Sequence, residues 1–461
     1  MRRANNPMRV VIILGVVGTV VLAFLMVWLG NVAQRSKALT TEEPIAPISA
    51  SVLSVRRHPE LLSRTTRLNT LRAGMPAFVN DLPSGSCTSM TWLDETLTEM
   101  NTGVTLIPGS LVKVLTAVVA REILGPDYRF ITEVKGSVVN GVVGDLFVVG
   151  GGDPVLVRNN YPATEKYPTV YATSLDTLAD SVVAGGVRQI LGAVVGVENR
   201  YDSQRFVSVW PETFGGVEAG PLSALMSSDA MVGSTGMRAN EPANGAAMDL
   251  SSLLAERGVS VTGSTRVGEL PDGMATIATI QSAPLSEILV ELLVNSDNNT
   301  AELLLKELGY QQKGEGSTAA GITVIQEFLK EKYPEDVALL SDGSGLSAQN
   351  GFTCALMMKL LAAHEEWLSS SFAVASETGT LRDMFKSSPV AGVMRAKTGT
   401  LSNVKGLAGF VPVDGNDSVQ FVLIMNTASV DQQSVFMAHW NDLAEVMALA
   451  SSSPSATELA P

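Results

Sequence analysis

The run LIPGSLVKVLTAVVAREILG, from Leu106 to Gly125, sets the tightest limit on how this chain folds. Leu111, Val112, Val114, Leu115, Val118, Val119, Ile123 and Leu124 cover nearly every face of a helix. A helix apolar all round belongs at the centre of a domain. Lys113 is the only charge between Leu106 and Ala120. Lysine is rarely fully buried unless paired, and stripping water from its ammonium is costly. Ser110, three residues earlier, faces the same side of the helix. Pro108 and Gly109 mark the helix start and put Ser110 in the first turn, among free N–H groups that favour an alkoxide. A lysine whose pKa is lowered by burial or by another cation can take the serine proton. Taken alone, a helix cap with a snorkelling lysine is the better reading of this pair.

The rest of the chain supplies the setting. With 461 residues it has room for two or three domains. A net charge of −14 repels phosphate and argues against a nucleic-acid partner. His58, His364 and His439 lie far apart and no CxxC or HExxH occurs, so a zinc enzyme is not expected. Arg2, Arg3 and Arg9 precede an uncharged run from Val10 to Leu29. A run of about 20 apolar residues spans a bilayer, and the basic flank stays in the cytoplasm. The expected layout is therefore a cytoplasmic tail at 1–9, a signal anchor at 10–29 and a linker at 30–55. Cleavage after Ala33 is the alternative, and would release the protein. The end, 450–461, reads as a disordered tail.

SCTSMTWLD around Cys87 suits a strand. From about Tyr128 to Ser282, short β-like runs alternate with Gly/Pro/Asp turns and suggest a second, mixed domain. LSEILVELLVNSDNNTAELLLKEL and GITVIQEFLKEKY read as amphipathic helices. VKGLAGFVPVDGNDSVQFVLIMNT reads as two strands joined by a hairpin turn at VDGND, and a last helix follows. Cys87 and Cys354 are the only cysteines, and sequence leaves their pairing undecided.

Two further motifs change the reading of Ser110 and Lys113. Ser296-Asp297-Asn298 lies at the junction of two helical stretches, where a loop and N-cap cluster is the plain reading. Lys397-Thr398-Gly399-Thr400 opens the strand pair. A lysine and a hydroxyl beside a glycine that admits a substrate backbone suit a peptide carboxylate. A second S-x-x-K, Ser402 to Lys405, reads as chance, because its strand-like run offers no helix N-terminus. S-x-x-K, S-D-N and K-T-G in this order are together the signature set of penicillin-binding proteins and serine β-lactamases.

The long stretch between Ser110 and Ser296 narrows the likeness. The chain resembles the D-Ala-D-Ala carboxypeptidases of class C, the low-molecular-mass penicillin-binding proteins with a large insertion between the first two motifs. LSVRRHPELL, LGPDYRFITEV, VVGGGDPVL and SDGSGLS carry the resemblance from about Val52 to Ala448. It implies an α+β fold: a penicillin-binding-protein/β-lactamase-like transpeptidase domain, an antiparallel sheet flanked by helices, at 56–130 and 283–449. An inserted mixed α/β domain at 131–282 interrupts it, and one transmembrane helix precedes it. The implied activity is that of a serine DD-carboxypeptidase, with DD-endopeptidase activity left open, acting on peptidoglycan stem peptides and binding β-lactam antibiotics covalently. The serine chemistry that the resemblance implies needs no metal and no cofactor. The catalytic part would lie outside the cytoplasmic membrane, held by the N-terminal helix.

By the same resemblance Ser110 is the acylated nucleophile, Lys113 its base, and Ser296 the relay to the leaving D-alanine. Asn298 would bind the substrate backbone, Thr398 its carboxylate, and Lys397 would supply positive potential that keeps Lys113 neutral. The N–H groups of Ser110 and Thr400 would form the oxyanion hole, with Gly399 between the binding residues. The family's Pro-Ala-Ser is Pro-Gly-Ser here, which should loosen the turn at Gly109. An arginine common after SDGSGLS is missing near Ala348 and Gln349. A β-lactamase, or a catalytically silent wall-binding protein, are the competing readings.

Overall fold

A computed structural model describes residues 7–38, 59–231, 237–413 and 417–451. The chain divides into two units, Met1–Leu62 and Ser63–Pro461. The first carries helix α1 (Pro7–Ala38). Within it, Gly15–Val32 is long and apolar enough to cross a membrane. The helix continues past Leu29 through the first residues expected to be linker. Nothing in NVAQRSKA stops it, since it contains neither proline nor a second glycine to break the ladder. The rest of the linker, and the tail beyond Ser451, lie outside the described residues.

Helix α2 (Pro59–Asp81) begins just before the boundary, and most of it belongs to the second unit, which continues with a hairpin, Ser86–Trp92 with Glu95–Met100. Its two-residue turn holds Leu93 and Asp94 at φ of 56° and 59°. Such turns usually carry Asn-Gly, which is why the second strand left no signal in the sequence. A single 3₁₀ turn, Gly109–Leu111, leads into α3 (Val112–Leu124), whose residues from Val112 to Ala120 are all buried. Ser110 thus lies just before the α-helix rather than in its first turn, because Gly109 takes a left-handed φ of 55°.

Between Ile131 and Gln281 the chain builds two mixed sheets. One has five strands in the order 265–267, 194–197, 146–149, 131–135, 276–281; the other has four short strands. Helices α4 (Leu175–Ala184) and α5 (Pro242–Glu256) share one apolar core with both. The segment around Tyr201–Ala230 packs elsewhere, on Leu303 and Leu346.

Five helices complete the unit: α6 (Leu285–Asn295), α7 (Asn298–Lys313), α8 (Thr318–Lys332), α9 (Cys354–Ser371) and α10 (Gln433–Ala448). α7 is not amphipathic as its sequence suggests: every residue from Asn299 to Gly309 is buried. Its charges are paired instead. Glu307 accepts from Arg200, Tyr128 and Tyr201, and Lys306 donates to Asp202.

The main sheet is antiparallel, with six strands in the order 373–374, 395–401, 404–412, 418–426, 86–92, 95–100. The strands 404–412 and 418–426 pair from Val404↔Asn426 to Pro412↔Ser418, and residues 414–416 of the expected turn lie outside the described residues. One face of the sheet packs on α3, α6, α7 and α9, the other on α2 and α10. Cys87 and Cys354 form a disulfide, Cα atoms 6.1 Å apart, tying the 86–92 strand to the start of α9.

Candidate active site

The three motifs meet at one edge of the main sheet. Lys113 is fully buried, and its Nζ donates to Ser110 Oγ (3.0 Å), Asn298 Oδ1 (2.7 Å) and the carbonyl of Ser344 (2.6 Å). All three ammonium donors are therefore used, which is how an apolar helix tolerates a lysine. Burial lowers its pKa to about 8, although Asp342, Asp297, Glu302 and Glu218 pull the other way. Desolvation is the leading cause of that shift, and the like-charge repulsion between Lys113 and Lys397 bears on the Lys397 amine.

Ser296 caps α6 in a left-handed conformation (φ 62°), and Asp297 caps α7 by accepting from Asn299 N. This tight hinge between two helices brings Ser296 to Lys397 and Asn298 to Lys113. Lys397 Nζ donates to Ser296 Oγ (2.7 Å) and to the Thr398 carbonyl (2.8 Å). Burial, then the charges of Lys113 and Lys405, hold the Lys397 pKa well below the ordinary lysine value. Ser110 and Ser296 thus each have an amine within hydrogen-bond distance, so either hydroxyl can pass a proton.

The remaining site residues line the 395–401 strand. Thr398 Oγ1 lies 3.1 Å from Thr380 Oγ1. Gly399 packs closely on the nucleophile turn. A Cβ there would sit 2.3 Å from the carbonyl of Pro108, so the missing side chain lets the strand press against the nucleophile turn. Gly109 answers it: a Cβ on Gly109 would lie 2.9 Å from the backbone nitrogen of Thr400. Rather than loosening the turn, glycine at 109 lets the backbone beside Ser110 lie close against that of Gly399 and Thr400.

Several participants escaped the sequence reading. The SDGSGLS loop holds Lys113 through Ser344 and is itself held by Glu302, whose Oε1 accepts from Gly343 N (3.0 Å) and Ser344 N (2.7 Å). Burial raises the Glu302 pKa to about 8. Asn298 Nδ2 donates to the carbonyl of Glu218 (2.7 Å), and Asn299 ties Gly220 and Asp229 to the same helix start, so the 131–281 segment braces the second motif. None of these contacts has a local sequence signal, because each joins residues far apart in the chain. Away from the site, Asp81, His439 and Asp442 are the one group among the described residues close enough to hold a cation.

Comparison with known proteins agrees with this arrangement. The sequence profile of the D-Ala-D-Ala carboxypeptidase 3 (S13) family matches residues 84–235 and 222–445. A D-alanyl-D-alanine carboxypeptidase of Actinomadura sp. (strain R39) is 30% identical over 474 residues, covering 82% of this chain and 85% of that protein. Carboxypeptidase DacB of Mycolicibacterium smegmatis is 30% identical over 356 residues, covering 72% and 74%. Penicillin binding protein 4 (dacB) from Haemophilus influenzae superposes with a TM-score of 0.67 at 20% identity, covering 80% of this chain and 98% of that one.

Proposed function

The chain belongs to the D-Ala-D-Ala carboxypeptidase 3 (S13) family, and from that premise we propose how its residues carry out the reaction. The protein is a serine-type D-Ala-D-Ala carboxypeptidase that acts on peptidoglycan stem peptides and binds β-lactams. The observation that carries the residue assignment is the Lys113 amine, buried and 3.0 Å from Ser110 Oγ. Neutral Lys113 takes the Ser110 proton as Oγ attacks the carbonyl of the penultimate D-alanine. The N–H groups of Ser110 and Thr400 receive the developing oxyanion. As the C–N bond breaks, the proton passes through Ser296, bonded to Lys397, to the departing D-alanine amine. Water then attacks the acyl-enzyme, its proton returns to Ser110 by the same base, and the shortened peptide leaves.

Asn298, already fixed by Lys113 and Glu218, presents its amide to the peptide backbone. Thr398 and Lys397 meet the terminal carboxylate. Endopeptidase action on crosslinks uses the same acylation step with a longer leaving amine. We further propose that α1 anchors the protein in the cytoplasmic membrane, with Arg2, Arg3 and Arg9 inside and the 56–130 and 283–449 peptidase domain, with its 131–282 insertion, outside. Release of D-alanine from a stem pentapeptide, by wild type beside Ser110→Ala, tests the assignment. Equal release by both would contradict it.

A further inference from the structure

Lys405 is the lysine of the second S-x-x-K, yet its partner is not Ser402. Ser402 and Asn403 form the exposed turn between the strands 395–401 and 404–412. Lys405 lies directly across the strand pair from Thr400. Its Nζ donates to Thr400 Oγ1 at 2.9 Å and sits 3.8 Å from the centre of the Phe436 ring and 5.0 Å from Trp440, both on α10. The side chain is 7% exposed. A buried lysine held by one hydroxyl and two aromatic faces is an expensive way to fill space, though the rings favour its cation. Thr400 is the residue whose backbone N–H faces Gly109 beside the nucleophile.

We propose that Lys405 is a positioning residue for the oxyanion hole: from behind the sheet it fixes Thr400 by its hydroxyl and places a positive charge beside the Thr400 peptide. This rests on the assignment of Ser110 as nucleophile and of the Thr400 N–H as an oxyanion donor. The pKa of Lys405, lowered by burial to about 8, leaves most of it protonated at neutral pH. The contribution is specific to the step in which negative charge develops on the scissile carbonyl, so it belongs in the acylation rate and not in substrate binding.

The test compares Lys405→Met, Lys405→Arg, Thr400→Val and the Met/Val double variant by the rate of penicillin acylation, followed by intact mass, and by kcat and KM for D-alanine release. Lys405→Met should acylate about 10-fold more slowly with KM within about twofold, short of the roughly 10²–10³-fold cost of removing an oxyanion donor. Lys405→Arg should recover most of the rate. Thr400→Val, which keeps the buried charge, should also slow acylation, and the double variant should be no slower than Lys405→Met. Should Lys405→Met fail to fold, Thr400→Val alone carries the test. Acylation by Thr400→Val at the wild-type rate, additive losses in the double variant, or a raised KM with unchanged kcat would overturn the proposal. A wild-type protein that forms no adduct would instead overturn the Ser110 assignment itself, and is distinguishable for that reason.

Discussion

Burial governs the protonation of Lys113. Its pKa of about 8 makes neutral amine far more abundant near neutrality than an ordinary lysine would allow. The base works only when deprotonated, so kcat/KM should climb as pH rises toward 8 and level off above it. A profile flat between pH 6 and 9 would contradict a lysine base. Lys113→Met should lower acylation by about 10²–10⁴-fold, the usual contribution of a general base. At Gly109, a left-handed φ and the approach to Thr400 N leave no room for a Cβ. Gly109→Ala should therefore slow acylation even though alanine is what the family resemblance leads one to expect there. Glu302 offers a sharper discrimination. Burial pushes its carboxyl toward the neutral form, so Glu302→Gln, which keeps the accepting oxygen, should melt closer to wild type than Glu302→Leu. Glu302→Leu strands the N–H groups of Gly343 and Ser344 and should cost about 1–3 kcal/mol for each, read as a lower denaturant midpoint.

Among the elements, those legible in the sequence were the ones whose own residues dictate them. The all-apolar α3 had to be central, and the paired strands 404–412 and 418–426 follow from β-rich runs around a turn. The three motifs could be ordered along the chain because each carries its chemistry in adjacent residues. What stayed hidden depends on partners distant in sequence. α7 reads as amphipathic until Arg200, Tyr201 and Asp202 arrive to pair its charges. Lys405 reads as chance until α10 brings Phe436 and Trp440 over it. The Cys87–Cys354 bridge is of the same kind, joining residues 267 apart in sequence. It sits in the core between the sheet and α9, and native disulfides of this sort contribute about 2–5 kcal/mol. The Cys87→Ala/Cys354→Ala double variant should unfold at correspondingly lower denaturant, with the active-site geometry intact in what remains folded.

For the whole molecule, the proposed anchoring by α1 and the proposed chemistry fall in different units. The second contains every residue of the proposed mechanism, so a form beginning near Thr40 should keep its activity while leaving the membrane fraction for the soluble one. The sheet, the buried α3 and the hinge between α6 and α7 bring two hydrogen-bonded groups together, Lys113 with Ser110 and Asn298, and Lys397 with Ser296, with the 131–281 segment bracing Asn298 from outside. That convergence makes a single chemical event the test of the whole account. The mass of the second unit after incubation with penicillin, wild type beside Ser110→Ala, reads it out. A stable adduct on wild type and none on Ser110→Ala is the predicted result. An adduct on both proteins, or penicillin consumed by wild type with no adduct accumulating, would contradict it.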